Sequence, residues 1–262
     1  MNRMSIGLAD MKNRKEKILV GYFPLADTIL EGNDVEWAKK YFANGVTVLE
    51  MGFPYEDPVL DGKTVTDSMN RALSHATLDD VFDIIKDIRR ECPDNILQIM
   101  TYFGNIEKYG IASFAQHCAN CGADAVLAPD TPREKYSELD AELGKHGLIF
   151  LRFSVYNLTD KVVEDIKLNA KGYIFQQAVD GMTGIVEGVS DQVGNNIQHL
   201  RGAGVTTPII AGFGISSHEQ IAKALAMGAD GVVVGSAIVS HIMQGDGEAY
   251  IASLRAALRE EE

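Results

Sequence analysis

A chain of 262 residues with 24 basic and 37 acidic side chains carries a formal charge of −13, which argues against a nucleic-acid or anionic-membrane partner, since both need a basic face. Hydrophobic residues make up 46% and charged residues 23%, the balance of a globular protein with a full core, and no apolar run approaches the ~18 residues of a membrane helix. Residues 1–17 mix charge with apolar side chains and lack the continuous apolar stretch of a signal peptide, so a cytoplasmic protein is expected.

Taken in chain order, the opening segment reads as a helix, followed by an apolar run at Ile18–Tyr22. A local pattern then recurs, in which a helix end, a Gly and a short polar step lead into an apolar run. It is seen in Ala43–Gly52, Ala119–Asp130, Gly202–Gly214 and Ala226–Gly235. Gly there can take the positive φ that ends a helix. The Val, Ile and Leu that follow do not alternate with polar residues, as in strands buried on both faces of a parallel sheet. Further strands are predicted at Ile96–Tyr102, Leu148–Phe153 and Gly172–Gln176. Amphipathic helices separate them. In Leu78–Arg90, for instance, Leu78, Val81, Phe82, Ile84, Ile85 and Ile88 mark one face and Thr77 can cap the start.

The sum is eight strands, each followed by a helical segment, with no linker or low-complexity break. That predicts one α/β domain over 1–262, a (β/α)8 TIM barrel with an extra N-terminal helix across its bottom. A doubly wound open sheet is the alternative, but no Gly-rich dinucleotide loop follows the first run. Cys118 and Cys121 form a C-x-x-C without a second ligand pair and Cys92 is isolated, so all three read as small packing residues and no metal site is expected.

Chemistry in such a barrel sits just past the C-terminal ends of the strands. The second run ends Val48-Leu49-Glu50-Met51-Gly52. A Glu inside a buried run is either held by a Lys or Arg across the barrel or is functional, because burial raises its pKa into the range of a general acid or base. The loop Phe53–Val65 carries Glu56, Asp57 and Asp61 between Pro54, Pro58 and Gly62. Asp57 reads as a turn residue. Asp61-Gly62 is either another turn or a second carboxylate held opposite Glu50 in a different environment. Late in the chain, Gly212-Phe213-Gly214 and Gly235-Ser236 end the seventh and eighth runs, and Gly181–Gly184 follows the sixth. Small residues at these loops let backbone N–H groups and a helix N-terminus reach a phosphate, although Gly also relieves crowding where strands meet helices.

At these residues the sequence resembles the tryptophan synthase alpha subunit family over about Leu8–Leu258. Leu49–Gly62 (LEMGFPYEDPVLDG) looks like the family's L-E-[LM]-G-x-P-[FY]-S-D-P-x-A-D-G, and Met100–Gly110 and Ala128–Pro132 are similar to its next two motifs. GMTG (Gly181–Gly184), GFGIS (Gly212–Ser216) and DGVVVGSAIV (Asp230–Val239) match its later ones. The resemblance implies a lyase that cleaves indole-3-glycerol phosphate to indole and glyceraldehyde 3-phosphate. Glu50 falls on the general acid/base, and Asp61 on the carboxylate that accepts the indole N–H. Thr183, Gly184, Gly212, Phe213, Gly214, Gly235 and Ser236 fall on phosphate or substrate positions, and Tyr22, Tyr102, Asp130 and Phe175 on pocket or loop positions. It also implies no cofactor in this chain, and a beta subunit partner in an alpha2beta2 complex that carries pyridoxal phosphate.

Departures from the family pattern fall around the same site. Phe23–Thr28 replaces T-x-G-D-P, and Leu60 replaces a small residue. Phe175 stands for a Tyr, Ala178-Val179 for Ser-Arg, and Lys63 where Pro is common. Arg152–Tyr156 replaces a small-residue segment. Two other readings retain the same carboxylates and loops: a lyase for another phosphorylated substrate, and a non-catalytic subunit that regulates a partner.

Overall fold

The computed structural model describes residues 2–179, 181 and 189–260. Parallel strands form one sheet: β1 (Ile18–Phe23), β2 (Val48–Gly52), β3 (Ile96–Met100), β4 (Ala125–Leu127), β5 (Ile149–Phe150), β6 (Arg152–Ser154), β7 (Ile174–Gln177), β8 (Ile209–Gly212) and β9 (Gly231–Val234). Their order is β5-β4-β3-β2-β1-β9-β8-β7-β6. Because β5 and β6 are separated only by Leu151, the list of nine closes on itself as an eight-fold ring whose fifth strand is broken. At the break the chain changes neighbour. Leu151 N–H still donates to Val126 O on β4 at 2.9 Å, while Arg152 is already in register with Ile174 on β7.

Alternation along each strand divides the core in two. Leu19 and Phe23, Leu49 and Met51, and Leu97 and Ile99 face the surrounding helices, whereas Val20, Tyr22, Val48, Ile96 and Met100 point into the barrel. By the same period Glu50 and Gln98 point inward, and register sets Tyr22 beside Glu50 and Glu50 beside Gln98. The helix Arg3–Arg14 covers the bottom with Met4, Leu8 and Met11 buried in the inner cluster. Asn2 anchors it, its Nδ2 donating to the carbonyls of Asp124 (2.8 Å) and Gly147 (2.9 Å), and Arg3 pairs with Asp124 at 3.0 Å.

The predicted cap is present. Thr77 Oγ1 accepts from Asp80 N–H at 3.2 Å and Asp80 Oδ2 accepts from Thr77 N–H at 2.8 Å, opening a helix over Leu78–Glu91. Cys118 and Cys121 are buried at the end of the helix Ile111–Asn120, with Cys121 Sγ donating to Cys118 O. Burial pushes the Cys121 thiol up to about 12, so it stays protonated and packs as an apolar group. No cluster of His, Cys, Asp and Glu among the described residues could hold a metal ion.

Candidate active site

The C-terminal ends of the strands surround a cavity whose empty space, mouth included, is about 640 Å³. Glu50, Asp61, Tyr22, Tyr102, Phe175 and Phe213 line it, and Gly214, Gly235 and Ser236 complete the wall on the β8–β9 side. The structure therefore brings nine of the expected site residues to one place. Gly212 is the exception. It does not line the cavity, and a Cβ there would run into the Phe175 ring. Thr183 and Gly184 lie outside the described residues. Asp130 is also withdrawn from the cavity, its Oδ1 accepting from Phe103 N–H at 2.8 Å at the start of the helix Phe103–Tyr109.

Among the described residues no Lys or Arg pairs with Glu50. Gln98 Nε2 donates to the Glu50 Oε1 at 2.8 Å, and the Gln98 Oε1 in turn accepts from the Tyr173 hydroxyl at 2.6 Å. That chain orients the amide, because the Tyr173 proton needs the carbonyl side and leaves the NH2 for the carboxyl. Glu50 is 3% exposed. Burial raises its pKa from 4.5 to about 8, the Gln98 bond pulls against that rise, and the nearby Asp61 charge adds to it. A carboxyl of this kind is protonated at neutral pH yet can still release and regain its proton.

Asp61 sits in a different setting. The Pro58 turn returns the chain, with Asp61 N–H donating to Pro58 O at 2.9 Å, and places the buried carboxylate where Tyr102 Oη donates to Oδ2 at 2.7 Å. Tyr102 is held in turn by Leu60 N–H at 3.2 Å and by stacking on Tyr55 at 5.2 Å between centroids. Asp57 and Glu56 are exposed and stay on the turn.

An aromatic cage forms the other side. Phe153, Phe175 and Phe213 lie within 5.4–5.9 Å of one another, and Leu60 adds to the same apolar wall. Phe213 has φ +75°, costly for a side chain with a Cβ, and Gly214 follows at +76°. Two successive left-handed residues lift the chain off the end of β8. Gly235 precedes the nine-residue helix Ser236–Gln244, whose N-terminal N–H groups and dipole favour an anion. Ser236 Oγ is buried without a hydrogen-bond partner among the described residues.

The loops that break the family pattern are held by local pairs. After β1, Asp27 is buried and accepts from Arg71 Nη2 and Nε at 2.6 and 2.7 Å, while Asp34 accepts from Ala26 N–H at 2.8 Å. Arg152 points away from the cavity into the helix layer, to Asp140 (3.2 Å) and Asp165 (3.0 Å), leaving Phe153 to face in. Gln177 ties the segments after β6 and β7 together by accepting from Tyr156 N–H at 3.0 Å and donating to Gly181 O at 2.9 Å.

Gln98 and Tyr173 were missed in the sequence, although Gln98 carries the signal that exposed Glu50: a polar residue in the middle of a buried apolar run.

Comparison with known proteins agrees with this geometry. The profile of the tryptophan synthase alpha chain family matches residues 8–261. A tryptophan synthase alpha chain from Geobacter sulfurreducens is 33% identical over 240 residues, covering 91% of this chain and 89% of that one. One from Methanosarcina acetivorans is 31% identical over 91% of this chain and 85% of its own length. The crystal structure of tryptophan synthase subunit alpha from Legionella pneumophila superposes with a TM-score of 0.85 at 26% identity, covering 100% of this chain and 98% of the other.

Proposed function

This chain belongs to the tryptophan synthase alpha chain family, the lyases of tryptophan biosynthesis that cleave indole-3-glycerol phosphate, and on that premise we propose that Glu50 and Asp61 carry the cleavage here. Protonated Glu50 gives its proton to C3 of the indole ring. The positive charge that results is spread toward the ring nitrogen, whose N–H faces the Asp61 carboxylate. Glu50, now a carboxylate, takes the proton from the hydroxyl on the carbon attached to C3. The O–H electrons become the carbonyl bond, the carbon–carbon pair returns to the ring, and indole and glyceraldehyde 3-phosphate separate. One proton leaves Glu50 and one returns, so the residue ends as it began.

The observation that carries this assignment is the pair of buried carboxyl groups in unlike settings, one raised to about 8 beside a neutral amide and one accepting from a tyrosine hydroxyl. Phe153, Phe175, Phe213 and Leu60 suit a flat apolar ring. Gly214, Gly235 and Ser236 supply the phosphate end. By the family resemblance Gly184 belongs with the phosphate-binding residues and Thr183 with the pocket or loop residues. Phosphate and apolar contacts suffice for this ground state, and the chemistry asks for no cofactor in this chain. A beta subunit holding pyridoxal phosphate is the partner, in an alpha2beta2 complex that takes up the indole, and the setting is the cytoplasm.

The test is indole release from indole-3-glycerol phosphate, with and without a beta subunit, by the parent chain and by Glu50→Gln. Release by the parent that falls about a hundredfold or more in Glu50→Gln is the expected result, since a general acid/base contributes about 10²–10⁴. Turnover retained in the variant refutes the role of Glu50.

A further inference from the structure

Tyr22 has a feature that the mechanism above leaves unused. Its side chain is 3% exposed, it lines the cavity, and its hydroxyl has no hydrogen-bond partner among the described residues. A buried hydroxyl without a partner costs free energy in the empty protein and is recovered when a ligand supplies one. The position of the ring is well defined. Strand β1 lies between β9 and β2, with Gly21 in register with Val234 and Tyr22 with Glu50. At its root, the Tyr22 Cβ is 3.5 Å from where a Cβ on Gly235 would stand, beside the loop assigned to phosphate. At its tip, a Cβ on Gly52 would run into the hydroxyl, so the oxygen lies over β2 one inward-facing position above Glu50. The ring thus spans the distance between the phosphate loop and the carboxyl pair, and the Asp61 and Glu50 charges, after burial itself, push the phenol pKa well up, so the hydroxyl keeps its proton.

The substrate assigned above has few polar groups to place. Its ring N–H meets Asp61, its phosphate meets Gly214, Gly235 and Ser236, and the hydroxyl at the breaking bond meets Glu50. One group remains, the hydroxyl on the middle carbon of the glycerol chain, between the breaking bond and the phosphate-bearing carbon. We propose that the orphan Tyr22 hydroxyl, held between the phosphate loop and Glu50, binds this middle hydroxyl and so selects a glycerol chain over a deoxy one. This rests on the lyase reading and adds a specificity determinant to it.

The experiment is done in the Glu50→Gln chain, where no turnover disturbs binding, with Tyr22 intact or changed to Phe. Two probes are used: indole-3-glycerol phosphate and its analogue lacking only the middle hydroxyl. Tyr22→Phe removes one unpaired oxygen and should leave folding intact. The expected result is about tenfold weaker binding of the full substrate, the range of one neutral hydrogen bond, with no change for the deoxy analogue. Equal affinities in both chains, or an equal loss for both probes, overturn the assignment and leave Tyr22 as a packing residue. If the Tyr22-intact chain binds the deoxy analogue and discriminates against the full substrate, the assignment also falls while the phosphate site stands. If it binds neither probe, the lyase reading falls and takes this inference with it.

Discussion

Glu50 makes the behaviour of the protein depend on pH in two separable ways. Its unfolded-state pKa is near 4.5 and its folded value about 8. Between these values the folded chain holds a proton that the unfolded chain has released, so unfolding releases a proton and stability falls as pH rises through that window, by up to about 1.4 kcal/mol per unit. Below the window both states are protonated and above it neither is, and the contribution is flat. Glu50→Gln removes the titration. Its melting temperature should therefore change less than the parent's from pH 5 to pH 8, and a scan at several pH values reads this directly. In the mechanism proposed above, catalysis follows the same group with its own sign: a step that starts from protonated Glu50 declines as pH rises through about 8. Gln98→Leu deletes the donor that favours the charged form, so the alkaline limb of kcat should move to higher pH, with KM changed little. A limb that stays in place would mean that Gln98 only fills space.

At the scale of the element, glycine placement and the rebuilt loops decide how the site is shaped. Gly212→Ala drives a methyl group into the Phe175 ring. A cost of about 1–3 kcal/mol is expected, together with an indole pocket narrowed by displaced Phe175, so kcat/KM should fall while inorganic phosphate still binds. Equal affinity for phosphate and unchanged kcat/KM would show that the ring yields freely. In the loop after β1, Arg71→Met leaves Asp27 buried without its cation. Breaking a fully buried pair costs about 3–5 kcal/mol. Because the Arg71 side chain is 29% exposed, about 2 kcal/mol is expected, measurable by urea unfolding. This pair also shows where the sequence runs out. The barrel, the Thr77 cap and the Glu50 site were readable because each depends on neighbours close in sequence or on strand period. The partnership of Asp27 with Arg71, 44 positions away, depends on the loop after β1 meeting the helix Lys63–Leu73 in space. The break at Leu151 belongs with it: the run Leu148–Phe153 is continuously apolar apart from Arg152, and only the helix-layer carboxylates explain where that guanidinium goes.

For the molecule as a whole, the eight-fold ring and the end of the barrel that holds the cavity followed from the order of runs and from motif spacing, while the bond path through Gln98 to Tyr173 needed the closed barrel to bring β3 against the segment before β7. The seal at the bottom has a consequence of another kind, in time. The helix Arg3–Arg14 is synthesised well before its anchors, which are the carbonyls of Asp124 and Gly147, 122 and 145 residues later, and the carboxylate of Asp124. Asp124 is itself fastened by Arg89 at 2.8 Å and by Leu97 N–H at 2.9 Å. The helix therefore has nowhere to dock until more than half of the ribbon has emerged and the third, fourth and fifth strands are paired. Its buried face of Met4, Leu8 and Met11 must wait through that interval. What is made early waits for what is made later, and the stopper at the base of the barrel docks only after the strands that hold it.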